Sequence, residues 1–302
     1  MDNILPLVKA VRRREQFLSH FFDEQTAHKL LLRLHDGKLI ETTLYEHLRD
    51  GQLVDISIDI STMVGCPIRC KFCSATTGRY IRSLYSRELI DQFTSCLHYV
   101  KVSACSKIIA SFQGIGEPSM LADEVFDASH AILKQDGRNV ISISTTGANI
   151  QGVRHWREQS LPIAVLQFSL TSATGNPSLM PNAGKIDDLL DEIVTCSQSN
   201  HITTTTVNYI LLKGLNDSHG SADILIQYFS NRSIDVRIAS LNRTISSDRY
   251  LLNQGTADEA VCFADYLKRS SVSARVFGAF NDTNISCGQL TFDETTGDLG
   301  NE

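Results

Sequence analysis

The sequence predicts an α/β fold built on a parallel sheet. Strand-like segments at 55–61, 107–113, 139–145, 164–170, 203–211 and 235–241 alternate with helix-like segments at 85–100, 120–134, 150–158, 185–198, 218–230 and 256–269. Six such β/α units argue for parallel strands joined by crossover helices. At 302 residues, the chain is long enough for one large domain with a substantial core. Periodicity alone does not distinguish an open sheet from a barrel.

Taken in order, residues 1–25 read as a helix, with Val8, Val11, Phe17 and Phe21 on one face and Arg12-Arg13-Arg14 between them. Two β-like runs follow between Lys29 and Leu44, split by Asp36-Gly37, a pair that favours a tight hairpin. A second Asp-Gly, at Asp50-Gly51, leads into the strand at 55–61. Residues 1–54 are therefore expected to form a small helix and β-hairpin appendage, and 55–291 the main domain. The tail at 292–302 is acidic and rich in Gly and Thr, and is expected to fray.

The composition is 42% hydrophobic and 21% charged, an ordinary balance for a globular domain. No uncharged apolar run approaches the length of a membrane span, and the N-terminus lacks the basic-then-apolar order of a signal peptide. The formal net charge of −6 argues against a strong overall grip on phosphate backbones. Lys71, Arg79 and Arg82 nevertheless gather in one stretch, which reads most simply as a solvated surface. Eight cysteines without a disulfide-like framework point to a reducing cytoplasm.

Three of those cysteines, Cys66, Cys70 and Cys73, stand in a C-x3-C-x2-C spacing directly after the strand at 55–61. Three thiolates are one short of a closed zinc site, and no second C-x2-C pair follows. A [4Fe–4S] cluster held by three thiolates keeps one iron open for another ligand. A zinc knuckle or plain buried cysteines are the alternatives. Phe72 and Tyr80 flank the last cysteine, suited to shielding a cluster, to stacking on a base or to ordinary packing. Gln113-Gly-Ile-Gly-Glu-Pro118 follows the second strand, where glycines permit close backbone approach and Glu117 supplies an acceptor. Ser144-Thr-Thr-Gly147, Ser169-Leu-Thr171 and Asn242 put polar groups at later strand ends, in positions equally suited to turns.

The cysteine spacing resembles that of the radical S-adenosylmethionine (SAM) superfamily. That resemblance implies a partial (β/α)6 barrel, a [4Fe–4S] cluster whose open iron binds SAM, and a reducing electron donor such as flavodoxin or ferredoxin. The ordered series Val64–Cys73, Gly114–Pro118, Ser144–Gly147, Tyr209–Asp217 and Ser286-Cys-Gly-Gln-Leu290 resembles, more narrowly, the RlmN/Cfr family of radical SAM methyltransferases. Members of that family methylate adenine carbons in RNA. The resemblance implies that Cys287 carries a methyl group, that Gly116, Glu117, Ser144, Ser169, Thr171 and Asn242 hold SAM, and that Glu41 accepts a proton. Tyr80, from its place beside the last cysteine, is a further candidate for contact with the SAM adenine. The family's second catalytic cysteine has its counterpart at Asp59, a residue able to take a proton but unable to form a disulfide. Asp59 is thus a third candidate catalytic residue. The stretch before Cys287 reads Ala279-Phe-Asn-Asp282 in place of the family's Arg-Gly-Asp-Asp type, and little chain precedes the hairpin.

The expectation is a methyltransferase of class A type acting on an sp2 carbon of an adenine-like or other heteroaromatic ring. The short N-terminus and acidic charge favour a small molecule or nucleotide, with RNA as the other substrate class. Two rivals stand beside it. One is a radical SAM enzyme of another reaction type, with Cys287 forming a thiyl radical or an adduct. The other is a non-catalytic iron–sulfur protein that senses SAM or redox state.

Overall fold

A computed structural model describes residues 4–16, 23–100, 102, 105–171 and 178–277. Cys287 and the tail lie outside the described residues. The N-terminal part is a meander of β1 (Leu7–Gln16), β2 (Glu24–Arg33), β3 (Leu39–Arg49) and β4 (Gln52–Asp59). A two-residue ribbon of β5 (Met63–Val64) and β6 (Arg82–Ser83) follows. The chain then alternates through α1 (Ser86–Val100), β7 (Lys107–Phe112), α2 (Ala122–Gln135), β8 (Asn139–Thr145), α3 (Ile150–Glu158), β9 (Ile163–Ser169), α4 (Ile186–Cys196), β10 (Ile202–Ile210), α5 (His219–Phe229) and β11 (Ile234–Ala239). It closes with α6 (Ile245–Arg249), α7 (Ala257–Arg269) and β12 (Ser273–Phe277).

One ten-stranded sheet holds the order β1-β2-β3-β4-β7-β8-β9-β10-β11-β12. The pairs from β1 to β4 are antiparallel, and every pair from β4 to β12 is parallel. The six expected β/α units are present, with boundaries within a few residues of those read from the sequence, and β12 adds a further parallel strand. Among the described strands β1 and β12 are edges, so the sheet stays open.

The expected N-terminal helix is corrected to a strand. Leu7–Gln16 pairs antiparallel with Glu24–Arg33. Val8 and Val11 stand at helical spacing, but burial follows the strand period: Lys9 and Val11 are half-buried while Val8, Ala10 and Arg12 are exposed. An edge strand with so little buried surface carries almost no alternation to read. Its Lys and Arg side chains suit an edge that must not pair further. Phe17 and Phe21 lie outside the described residues. The hairpin at Asp36-Gly37 is as expected, with Gly37 in the left-handed region at φ 83°. It is continuous with the main sheet, because β3 pairs with β4.

The two faces of the sheet differ. On one, Leu30, Ile40, Leu44, Ile56, Ile58, Ala110, Phe112, Ile141, Ile143, Leu166, Phe168 and Val236 are at most 1% exposed and form a single core with helix residues such as Phe93, Val125, Trp156 and Leu225. On the other, Asp59, Ser111, Gln113, Ser144, Gln167, Ser169, Asn208, Asp235 and Arg237 recur at alternate positions, and most are half-buried. Strand alternation thus delivers a dry face under the helices and a polar face away from them. If the meander is part of that core, Leu44→Ala should lower unfolding stability by about 2–5 kcal/mol. Leu7→Ala, on the exposed edge, should change it by less than about 0.5 kcal/mol. Urea denaturation of both variants measures this, and equal small effects would detach the meander from the core.

Candidate active site

The cysteine loop leaves the end of β4 and is tied at its base by the β5–β6 ribbon, reinforced by Ile81 N–H donating to Val64 C=O at 2.8 Å. Gly65 sits at φ 75°, and a Cβ there would strike the backbone of Arg79 and Tyr80. The loop is pinned at its far side too. Lys71 N–H reaches Leu179 C=O at 2.9 Å, Asn182 Nδ2 reaches Pro67 C=O at 2.7 Å, and Thr244 Oγ1 reaches Phe72 C=O at 3.1 Å. Phe72 packs against Leu179, Leu212 and Leu241, so its place is in a small second core. Tyr80 lies on the outgoing side of the loop, exposed, its hydroxyl 3.3 Å from that of Ser83.

Cys66, Cys70 and Cys73 are all half-buried in this loop. Burial pushes the Cys66 thiol up, against the pull of backbone N–H groups of Ile68, Gly116 and Arg69. Burial, then Cys73 and Cys66 themselves, hold Cys70 well above its ordinary value. Cys66 and Cys73 oppose the ionisation of Cys70, an opposition that a multivalent cationic centre would lift. Among the described residues no group of three His, Cys, Asp or Glu side chains converges tightly enough for a single metal ion. A cubane meets each thiolate at a different iron, so three sulfurs along one loop fit a [4Fe–4S] cluster better than a lone ion.

The Gly114–Pro118 loop packs on this one. Thr62 N–H donates to Ile115 C=O at 2.8 Å, and Gly114 N–H to Ile60 C=O at 3.1 Å. Gly116, at φ 120°, leaves no room for a Cβ beside Thr62 and Met63. Glu117 is 1% exposed and accepts from Ser119 N–H at 3.1 Å, Ser119 Oγ at 2.8 Å, Thr146 N–H at 2.8 Å, Thr146 Oγ1 at 2.7 Å and Thr145 Oγ1. Its carboxylate therefore ties the end of β7 to the end of β8. Ser144 and Ser169 face the polar side, half-buried. Thr171 is buried, with its hydroxyl 3.0 Å from Met180 Sδ, and its C=O accepts from Asn216 Nδ2 at 2.7 Å. Asn242 is half-buried just past β11.

Glu41 and Asp59 are both buried, at 4% exposure each. Glu41 lies 3.3 Å from Lys29 Nζ, and Lys29 is itself 3% exposed. Lys29, Thr43, Asp59 and Ser111 stand in one register row across four strands. Burial raises the Asp59 carboxyl from 3.8 to about 7, against the pull of Gln113, Lys29, Ser111 and Tyr45. From Asp59 a hydrogen-bonded line crosses the polar face. Gln113 Nε2 donates to Asp59 Oδ1 at 2.8 Å, Ser144 Oγ to Gln113 Oε1 at 3.1 Å, Gln167 Nε2 to Ser144 Oγ at 3.0 Å and Arg237 Nη1 to Gln167 Oε1 at 3.1 Å. Lys29, Gln167 and Arg237 did not stand out in the sequence. For Gln167 and Arg237 the one signal is a polar residue at an alternate position of a largely apolar strand; Lys29, in the polar half of β2, has none.

A protein-family model described as the Radical SAM superfamily matches residues 60–223, more than half of the chain. The chain belongs to the radical SAM superfamily. Its cofactors are accordingly a [4Fe–4S] cluster and SAM, and it is an enzyme. It is similar to the dual-specificity RNA methyltransferase RlmN of Oleidesulfovibrio alaskensis, 29% identical over 280 residues that cover 89% of this chain and 76% of the relative. It is similar also to the protein of that name from Lawsonia intracellularis, 29% identical over 272 residues covering 87% of this chain and 75% of the relative. The fold matches the crystal structure of a radical SAM methyltransferase from Sphaerobacter thermophilus with a TM-score of 0.77 at 21% identity, covering 95% of this chain and 81% of that one. No helix among the described residues is long and apolar enough to cross a membrane.

The raised Asp59 carboxyl makes a sign-definite prediction. Below about pH 4 Asp59 is protonated in both folded and unfolded chains and contributes nothing. Between its unfolded value of 3.8 and its folded value of about 7 the folded state binds more proton, so stability falls as pH rises. Asp59→Asn removes that loss. Its Tm should match the parent near pH 4, exceed it increasingly up to about pH 7 and hold a constant lead above. A lead that is flat across this range would show an ordinary carboxyl at position 59.

Proposed function

We propose that this radical SAM enzyme is a methyltransferase that places a one-carbon unit on an sp2 carbon of an RNA base, with Cys287 as the carrier and Asp59 as the proton acceptor. RNA is preferred because the similar proteins are named RNA methyltransferases. The small-molecule preference drawn from net charge and chain length finds no counterpart among them. The observation that carries the chemical part is Asp59: a buried carboxyl of pKa about 7 on the polar face, held by Gln113 at 2.8 Å.

The cluster and SAM would supply, when bound, a carbon radical able to take a hydrogen atom from a sulfur-bound methyl group. Cys66, Cys70 and Cys73 would hold the cluster. Gly116 and Glu117, with Ser144, Ser169, Thr171 and Asn242, would hold SAM, with Tyr80 at the loop's rim. Glu117 fits an ammonium group only where an oxygen already taken by Thr145 or Thr146 is shared. Once the sulfur-bound carbon has added to the base, the base carbon must lose its proton. The carbon–sulfur bond then breaks, the methylene takes a proton to become the methyl group, and the sulfur leaves as a thiyl radical that one electron from the reducing donor returns to the thiolate. An acceptor near neutral pH needs a conjugate acid of similar pKa. Asp59 meets that condition, whereas Glu41 is the counter-ion of Lys29. Lys29 lies against Glu41 at 3.3 Å and also pulls the Asp59 carboxyl down, against the larger push of burial. This division of labour favours Asp59 over Glu41 as the base.

Cys287→Ala should cleave SAM to 5′-deoxyadenosine and transfer no methyl group. Asp59→Asn should also cleave SAM, and should accumulate a covalent Cys287–RNA adduct visible by intact-protein mass spectrometry. Methyl transfer by Cys287→Ala would remove the carrier role and promote the rival radical chemistry. Parent-rate release by Asp59→Asn would remove the base.

A further inference from the structure

Arg237 and Arg275 stand directly opposite each other on the parallel strands β11 and β12. Like charges at that register repel, and an acidic chain has no general need to place them so. Both guanidinium groups lie over the Phe277 ring, at 5.3 and 5.5 Å from its centre. They share one carboxylate. Asp235 Oδ2 accepts from Arg275 Nε at 2.9 Å and from Arg237 Nε at 3.4 Å. Arg237 also donates from Nη1 to Gln167. A guanidinium has five N–H donors, so among the described residues Arg237 uses two and Arg275 one. Among the described residues, two guanidinium groups against one carboxylate leave a single positive charge.

The pair sits two residues before the end of β11, in the row Ser169–Asn208–Arg237–Arg275. That places it on the polar face near the C-terminal ends of the parallel strands, where ligands of such sheets bind. Arg237 is 16% exposed and Arg275 49%, so one guanidinium is sunk in the face and the other reaches from its edge. Forked N–H donors on two neighbouring guanidinium groups suit the oxygens of a phosphate.

We propose that Arg237 and Arg275 form a phosphate subsite that takes one phosphodiester of the nucleic-acid substrate. A phosphodiester's single negative charge balances the single uncompensated positive charge. The subsite positions the strand so that the target base reaches the face carrying Asp59, while carrying no base information itself. This inference rests on the RNA methyltransferase reading for the identity of the polyanion.

The test uses the cluster-loaded enzyme with SAM and a fluorescein-labelled oligoadenylate RNA, read by anisotropy across a salt series. Arg237→Gln and Arg275→Gln should each weaken RNA binding at least tenfold. The slope of log K against log salt should lose about 0.7, the value of one single-strand phosphate contact. Arg237→Lys should recover part of the loss, and a methylphosphonate oligomer, which lacks the backbone charge, should bind parent and variants alike. SAM affinity should be unchanged in all of them. Arg275→Gln alters a half-exposed side chain and so keeps the test valid if Arg237→Gln fails to fold. Parent-like RNA affinity and slope in Arg275→Gln, no RNA binding by the parent, or a loss of SAM affinity in place of RNA affinity would each overturn the subsite. The last would assign the arginines to the SAM carboxylate. If the arginine effects hold but the parent transfers no methyl group to any RNA, the subsite stands and the methyltransferase reading falls.

Discussion

The close approach of two backbone segments, Ile60–Met63 and Gly114–Gly116, is what the rest of the site depends on. A Cβ at Gly114 would come within 2.7 Å of Ser61, and one at Gly116 would overlap Thr62. Only glycine lets these segments exchange hydrogen bonds directly. Ser61 completes the joint: its hydroxyl donates to Glu41 C=O and accepts from Ile115 N–H at 2.9 Å. Gln92 on α1 grips Ser61 from behind, accepting from its N–H at 3.0 Å and donating to its C=O at 2.9 Å. Through this joint the cysteine loop, the Glu117 turn and the strand bearing Glu41 hold fixed positions relative to one another. Any shift of β4 against β7 would move the cysteine loop, Glu117, Glu41 and Asp59 together.

The polar face turns that rigidity into chemistry. A buried Lys29–Glu41 pair is a doubtful source of stability, since desolvation of both ions offsets much of their attraction. Its value here is electrostatic. Burial pushes the Asp59 carboxyl up to about 7, while Lys29 pulls it down. The amide and hydroxyl line from Gln113 to Gln167 fixes side-chain orientations across β7, β8 and β9 and ends on Arg237. Asp59 and Arg237 are therefore joined by one hydrogen-bonded surface.

Much of this was legible in the chain itself. The alternation of apolar runs gave strands and helices from β4 onward, because parallel strands with one covered face carry a strong pattern. The cysteine loop was legible because its ligands are close in sequence. The N-terminal strand was not: with one face exposed and the other only half-buried, it offered Val8 and Val11 at helical spacing and little else. Glu41 and Asp59 were named as acids, but their burial arises from pairing of β2, β3 and β4, and Lys29 is brought to Glu41 by a hairpin register that no local pattern states. Arg237 reads as an ordinary outward residue between Val236 and Ile238, and only the sheet shows that its outward side is the polar face. The role of Cys287 rests on its motif alone, since it lies outside the described residues.

The central claim is that the transferred carbon passes through a sulfur-bound methyl group on this chain and does not go directly from SAM to the base. The measurement is mass spectrometry of nucleosides from RNA lacking the modification, incubated with enzyme that has no preloaded methyl group and with SAM carrying a trideuterated methyl. Transfer by way of the sulfur removes one deuterium before the carbon reaches the base. The account predicts a methylated adenine bearing two deuterium atoms and 5′-deoxyadenosine carrying the third. A methylated base that retains all three would contradict it.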